Sequence, residues 1–157
     1  MPKTREKIKN LDILESVSRQ LVKEGKCVVL CHGTFDLIHT GHIRHLQEAK
    51  RQGDILFVTL TADKYVNKGP GRPVFSETLR AENLSALSCV DYVGIVYAET
   101  AEEPISKIKP RIYAKGTEYK NAANDVTGKI TKERQLVEKF NGEIYFTNDI
   151  TFSSSNL

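Results

Sequence analysis

Apolar residues in this chain follow two rhythms. Ile8, Leu11, Leu14, Val17 and Leu21 recur at the spacing of one helix face. That predicts an amphipathic helix over residues 7 to 24, with Gly25 as its stop. Cys27-Val28-Val29-Leu30 is instead a short continuous apolar run, which predicts a buried strand near 26–31. Helical spacing resumes at Ile43, Leu46 and Ala49, giving a helix near 41–51 ended by Gly53. Ile55 to Thr61 is a second strand. Ser76 is the expected N-cap of a helix through Leu84 and Leu87. Tyr92 to Val96 is a third strand, and a short helix around Ile105 to Ile108 is stopped by Pro110. Ile112-Tyr113-Ala114 is a fourth strand ending at Lys115-Gly116. Lys132 to Phe140 reads as a helix closed by Gly142, and Glu143 to Phe146 as a last strand. Residues 63 to 73 and 117 to 131 are polar and read as loops.

Strands that alternate with helices pair in parallel through right-handed crossovers. The pattern predicts a three-layer α/β, Rossmann-like domain of about five parallel strands, with the first strand central. One domain spans 1–157, with residues 1–25 as its N-terminal helix; no repeat or low-complexity linker divides it. Ligands of such sheets bind beyond the carboxyl ends of the strands. The turn at His39, the loop holding Lys68 and Arg72, Lys115-Gly116 and Ser153-Ser154-Ser155 all follow predicted strands, so they should gather on one edge.

Composition narrows the partners. A hydrophobic content of 39% and a charged content of 27% are those of a soluble globular protein. A net charge of +3 gives no argument for nucleic acid, whereas a small anion needs only a local basic cluster. Cys27, Cys31 and Cys89 are an odd number without metal-like spacing and read as reduced thiols. No apolar run approaches the ~18 residues of a membrane span, and the basic N-terminus leads into a helix rather than a signal peptide. A cytoplasmic location is the default expectation.

The densest chemistry lies in Gly33-Thr34-Phe35-Asp36-Leu37-Ile38-His39-Thr40-Gly41-His42, where a strand hands over to a helix. Such a junction aims unpaired N–H groups and a positive dipole end outward, which suits a phosphate. His39 and His42 are three apart on the first helical turn and would face that phosphate together. Zinc ligation by the pair lacks a third ligand at useful spacing.

Gly33-Thr34-Phe35-Asp36 followed by His39-Thr40-Gly41-His42 resembles the signature of the nucleotidyltransferase superfamily of cytidylyltransferases and small adenylyltransferases. Lys68-Gly69-Pro70-Gly71-Arg72-Pro73-Val74 is similar to the Lys-Gly-x-x-Arg-Pro-Val segment of heptose-1-phosphate adenylyltransferases. Val90-Asp91-Tyr92-Val93 resembles the superfamily strand before the crossover. Lys115-Gly116-Thr117-Glu118-Tyr119 resembles the Lys-Gly-Gly-Asp-Tyr of the heptose group, with Thr117 and Glu118 as replacements. Ser153-Ser154-Ser155 resembles the Ser-Thr-Thr that caps the family's last helix. Glycerol-3-phosphate cytidylyltransferases carry an Arg before that hydroxyl run, and Asn148 to Phe152 has none. The resemblance covers about residues 26 to 157. It implies more chain after Leu157, often a fused sugar kinase in the heptose group, and a homodimer.

The implied reaction is attack by a sugar-phosphate oxygen on the α-phosphorus of a nucleoside triphosphate, releasing pyrophosphate. His39, His42, Lys68 and Arg72 are the expected catalytic residues: imidazole donors and loop cations for the phosphates. Gly33, Thr34, Phe35, Gly41, Lys115, Gly116, Ser153, Ser154 and Ser155 are expected to bind nucleotide. Asp36, Thr117, Glu118 and Tyr119 are expected on the substrate side; for Asp36, coordinating Mg²⁺ and capping its own turn stay open. Mg²⁺ is expected as the counter-ion of the triphosphate, held largely by phosphate and water. ATP with a sugar phosphate such as heptose 1-phosphate is the leading pair. A CTP-dependent enzyme of the glycerol-3-phosphate type and a non-catalytic nucleotide-binding module are the alternatives.

Overall fold

The computed structural model describes residues 4–67, 69–116 and 128–148. Five parallel strands form one sheet in the order β3-β2-β1-β4-β5. They are β1 (Val28–Gly33), β2 (Ile55–Thr61), β3 (Tyr92–Val96), β4 (Ile112–Gly116) and β5 (Glu143–Thr147). The helices are α1 (Leu11–Lys23), α2 (Thr40–Arg51), α3 (Glu77–Ser85), α4 (Glu102–Ile108) and α5 (Lys129–Lys139). The expected fold class and the central first strand are both found.

Strands β1 and β2 show why the sheet must be covered twice. Val28, Val29, Leu30 and Cys31 are all fully buried, so both faces of β1 need an apolar layer. Leu46 and Ala49 of α2, with Ala81 and Leu84 of α3, cover one face. Leu11 and Leu14 of α1, Ile105 and Ile108 of α4, and Val137 of α5 cover the other. The crossovers through α2 and α3 step outward from β1 on one side. The chain then jumps back to place β4 against the free side of β1. Connections therefore diverge to opposite faces between β1 and β4, opening a crevice at their carboxyl ends.

The N-terminal stripe finds its burial within this subunit, on the α4 layer. Leu14 is fully buried there, and the Ser18 hydroxyl donates to the Ile108 carbonyl at 2.7 Å. The helix is shorter than its periodicity predicts. Ile8 bridges Val93, and the Lys9 N–H donates to the Val93 carbonyl at 2.9 Å. The exposed edge of β3 thus claims this backbone before a helix can. Asn10 then caps α1 by accepting from the Ile13 N–H at 2.8 Å. At the other end α5 begins three residues earlier than expected, at Lys129. Asn141, not Gly142, takes the left-handed turn after it. Gly142 is required for space: a Cβ there would stand 2.4 Å from the Pro110 carbonyl oxygen.

Leu14→Ala should remove a fully enclosed side chain and cost about 3 kcal/mol of folding stability. Urea unfolding at neutral pH measures it; a loss under ~1 kcal/mol would mean that α1 is not part of the core.

Candidate active site

The turn from β1 into α2 builds the site. Phe35 adopts φ 53°, a left-handed backbone unusual for a bulky residue. That fold-back lays its ring over Gly33, where an added Cβ would meet the ring carbons at 3.0 Å. Gly33 is therefore glycine because Phe35 occupies its side-chain space. The Phe35 ring then meets the His42 ring edge-on, with centroids 5.9 Å apart.

His39 and His42 form the helix cap themselves. His39 is the N-cap residue of α2, and its Nδ1 accepts from the Gly41 N–H at 3.1 Å. His42 Nδ1 accepts from the His39 N–H at 3.3 Å, closing a reciprocal capping box with imidazoles in place of the usual hydroxyl and carboxylate. The rings lie 4.1 Å apart, centroid to centroid. With each Nδ1 accepting, the proton of the neutral ring is assigned to Nε2, so that nitrogen is the donor. The spacing thus brings the two histidines together as expected. It also makes them structural at the helix start.

Asp36 faces the protein, not open solvent. One carboxylate oxygen accepts from the Val74 N–H at 2.8 Å and from Arg72 at 3.3 Å; the other accepts from the Phe75 N–H at 2.9 Å. Burial alone would raise this carboxyl, but these donors outweigh it and hold it below the ordinary value. The structure gives Asp36 a role outside those expected: its carboxylate ties its turn to the loop before α3 and does not cap its own turn. Arg72 is thereby stationed beside the turn. Its link to Asp36 is the longest of the three, and the two backbone donors would still satisfy Asp36 if Arg72 moved to a phosphate.

Lys115 and Gly116 end β4, next to β1 in the sheet. The Lys115 ammonium lies 5.5 Å from the Tyr113 ring centroid, and its positive field acts on both His32 and His45. His32, at the end of β1, hydrogen-bonds Thr59 at 2.9 Å. His45 lies one turn beyond His42 and bonds Thr147 of β5 at 2.9 Å, so it faces the sheet. Glu48, a turn further on, accepts from the Tyr145 hydroxyl at 2.6 Å and from the Asn148 N–H at 3.0 Å. The α2 helix therefore holds the end of β5 against the site. Lys68, Thr117, Glu118, Tyr119, Ser153, Ser154 and Ser155 lie outside the described residues.

Sequence reasoning passed over Arg80. Its side chain is fully buried and donates to carbonyls of Thr34, Thr61 and Phe75 and to Asp63. The available signal was its spacing: Arg80, Leu84 and Leu87 fall on one helix face, so a charge sits on an apolar stripe. Among the described residues no cluster of three or more His, Cys, Asp or Glu could hold a metal ion. Cys31 is inert, its thiol pushed up to about 12 by burial, and all three cysteines are free. No helix among the described residues is long and apolar enough to cross a membrane.

Comparison with known proteins identifies the family. Residues 30–157 match the family described as cytidylyltransferase-like. The chain belongs to that family. It is a nucleotidyltransferase by that membership, as the His39–His42 turn implies. It is 41% identical over 140 residues to the bifunctional protein HldE of Pelobacter propionicus, covering 88% of this chain and 27% of that protein. The HldE of Nitratiruptor sp. is 40% identical over 143 residues, covering 89% and 30%. The chain thus spans between a quarter and a third of these relatives. In fold it resembles a lipopolysaccharide core biosynthesis protein from Thermoplasma volcanium, with TM-score 0.64, 24% identity and coverage of 82% of this chain and all of that one. It also resembles a pantoate-beta-alanine ligase from Francisella tularensis, with TM-score 0.65, 15% identity and coverage of 96% and 69%.

The site carries a pH dependence of known sign. Burial first, then the lysine charges, push His32 down to about 3; burial, Lys115 and His42 push His45 down to about 4. In the unfolded chain both return to the ordinary 6.5. Below pH 6.5 the unfolded state binds protons that the folded state does not, so stability falls as pH drops toward 4. Asp36 stays out of this window, because its contribution fades only below its ordinary value of 3.8. Each histidine should cost about 2 kcal/mol at pH 5 relative to pH 7.5. Urea midpoints at both pH values check this, and His45→Gln should lose less on acidification than the parent. Equal losses would contradict the burial of His45.

Proposed function

We propose that this domain transfers AMP from ATP to a sugar 1-phosphate, releasing pyrophosphate. The observation that carries the reading is the imidazole pair capping α2 at the crevice between β1 and β4. A triphosphate laid on that helix start meets N–H groups and a positive dipole end. His39 and His42 offer Nε2 donors to the phosphate oxygens and to charge developing on the bridging oxygen. Arg72 moves from Asp36 onto the phosphates as a bidentate partner, and Lys115 adds positive field from β4. Two anionic reactants must be brought together, so positioning and charge neutralisation supply the catalysis. Mg²⁺ enters as part of the substrate, held by phosphate oxygens and water, since Asp36 is already engaged by the loop.

The resemblance of residues 68–74 to heptose-1-phosphate adenylyltransferases supports ATP and a seven-carbon or related sugar. Thr117, Glu118 and Tyr119, with the serines at 153–155, are proposed to contact the acceptor and nucleotide. The bifunctional relatives support a second activity, proposed to be a sugar kinase, elsewhere in a longer chain. A homodimer and a cytoplasmic setting complete the proposal.

Pyrophosphate release from each of four nucleoside triphosphates with a panel of sugar phosphates tests the reading. The expected result is ATP-dependent turnover with a sugar 1-phosphate and little with glycerol 3-phosphate. Strong CTP turnover with glycerol 3-phosphate would overturn the substrate assignment. His39→Ala or His42→Ala should lower kcat by ~10²–10⁴. His39→Ala should also cost about 1 kcal/mol of stability through the lost cap. Near-parental turnover in both variants would remove the histidines from the mechanism.

A further inference from the structure

Arg80 sits in α3 but reaches back into the loops that precede it. Its Nη1 donates to the Thr34 carbonyl at 2.9 Å and to the Thr61 carbonyl at 2.7 Å. Its Nη2 donates to Asp63 at 2.6 Å, and its Nε to the Phe75 carbonyl at 3.0 Å. One guanidinium thus joins the turn after β1, the segment after β2 and the loop that carries Arg72. It is 0% exposed, and its ionic partner Asp63 is half-exposed. Burying a charge this way is costly unless its donors are satisfied, and here the planar fork matches acceptors on three segments.

The bond to Thr34 has a directional consequence. A trans peptide points its C=O and its following N–H in opposite directions. Arg80 draws the Thr34 carbonyl inward, so the Phe35 N–H of the same peptide plane points away from the core. Phe35 takes its left-handed backbone at this peptide and stands beside His42. Without an inward anchor, a peptide next to such a residue has no reason to keep that orientation. We propose that Arg80 is a positioning residue: through Thr34 it aims the Phe35 N–H at the phosphate, and through Phe75 it holds the loop that carries Arg72 to the same guanidinium. This rests on the nucleotidyl-transfer reading. It adds to it a buried lever that touches neither substrate.

The test uses ¹⁵N-labelled protein and inorganic tripolyphosphate. The Phe35 amide resonance should shift on addition in the parent and shift less than half as far in Arg80→Lys. The lysine keeps the charge but cannot span the acceptors. In the pyrophosphate-release assay Arg80→Lys should lose ~10-fold or more in kcat per folded molecule, with the acceptor KM within about 2-fold. A merely structural arginine would lower the folded fraction and leave kcat per folded molecule alone. A parental Phe35 resonance that ignores tripolyphosphate overturns the proposal, as does a folded Arg80→Lys with parental kcat. If Arg80→Lys does not fold, Asp63→Asn decides: it loosens the guanidinium at its exposed end and should reduce kcat by ~3-fold, and an unchanged kcat overturns the role. Absence of turnover by the parent with every triphosphate would sink the functional reading, while the amide shift would still judge Arg80.

Discussion

A parallel strand in the middle of a sheet cannot end at a hairpin; it must leave over its carboxyl end and return on one face. Strand β1 leaves through Gly33, Thr34, Phe35 and Asp36, and that exit sets where His39 and His42 start α2 and where Asp36 meets the loop of Arg72. Phe35 turns left-handed and lies back on Gly33. Asp36 then points to the loop before α3, and His39 starts α2. Since β4 lies on the other side of β1 with its crossovers on the opposite face, the exit opens onto a crevice instead of being covered. Anion-seeking groups gather there because strand ends and helix starts meet there.

The polar groups around that exit are tied to one another. Asp36 holds Val74, Phe75 and Arg72, and Arg80 holds Thr34, Thr61, Asp63 and Phe75. Glu48 holds Asn148 and Tyr145. Among the described residues no buried side-chain nitrogen or oxygen lacks a partner. Such satisfied networks fix a geometry more than they add stability, because a displaced member would leave another one buried and unpaired. The capping role of the histidines fits the same scheme. Their Nδ1 atoms are committed to the backbone, and that commitment orients the Nε2 atoms.

Burial also separates the four histidines by role. His32 and His45 bond to threonines of the sheet and are pushed to low pKa by their surroundings. His39 and His42 stand at the mouth of the crevice, at the first turn of α2. Residue type is the same in both pairs; only the distance from the sheet differs.

The sequence alone determined the alternation of strands and helices, the five-strand parallel sheet and the meeting of His39 with His42. Each of these depends on near neighbours along the chain: continuous apolar runs, helical spacing, and two side chains one turn apart. Ser76 was readable as a cap for the same reason, and its hydroxyl accepts from the Leu79 N–H at 3.3 Å. Tertiary structure decided what depends on partners far away in sequence. The β3 edge took Ile8 and Lys9 out of the first helix, and α4 received its apolar stripe. Asp36 became a clasp for residues 72–75 because the loop folds 38 positions back onto it. Arg80 was legible only as a charge on an apolar face. Its meaning came from three loops that the sheet brings together, since a guanidinium's worth is set by which acceptors surround it.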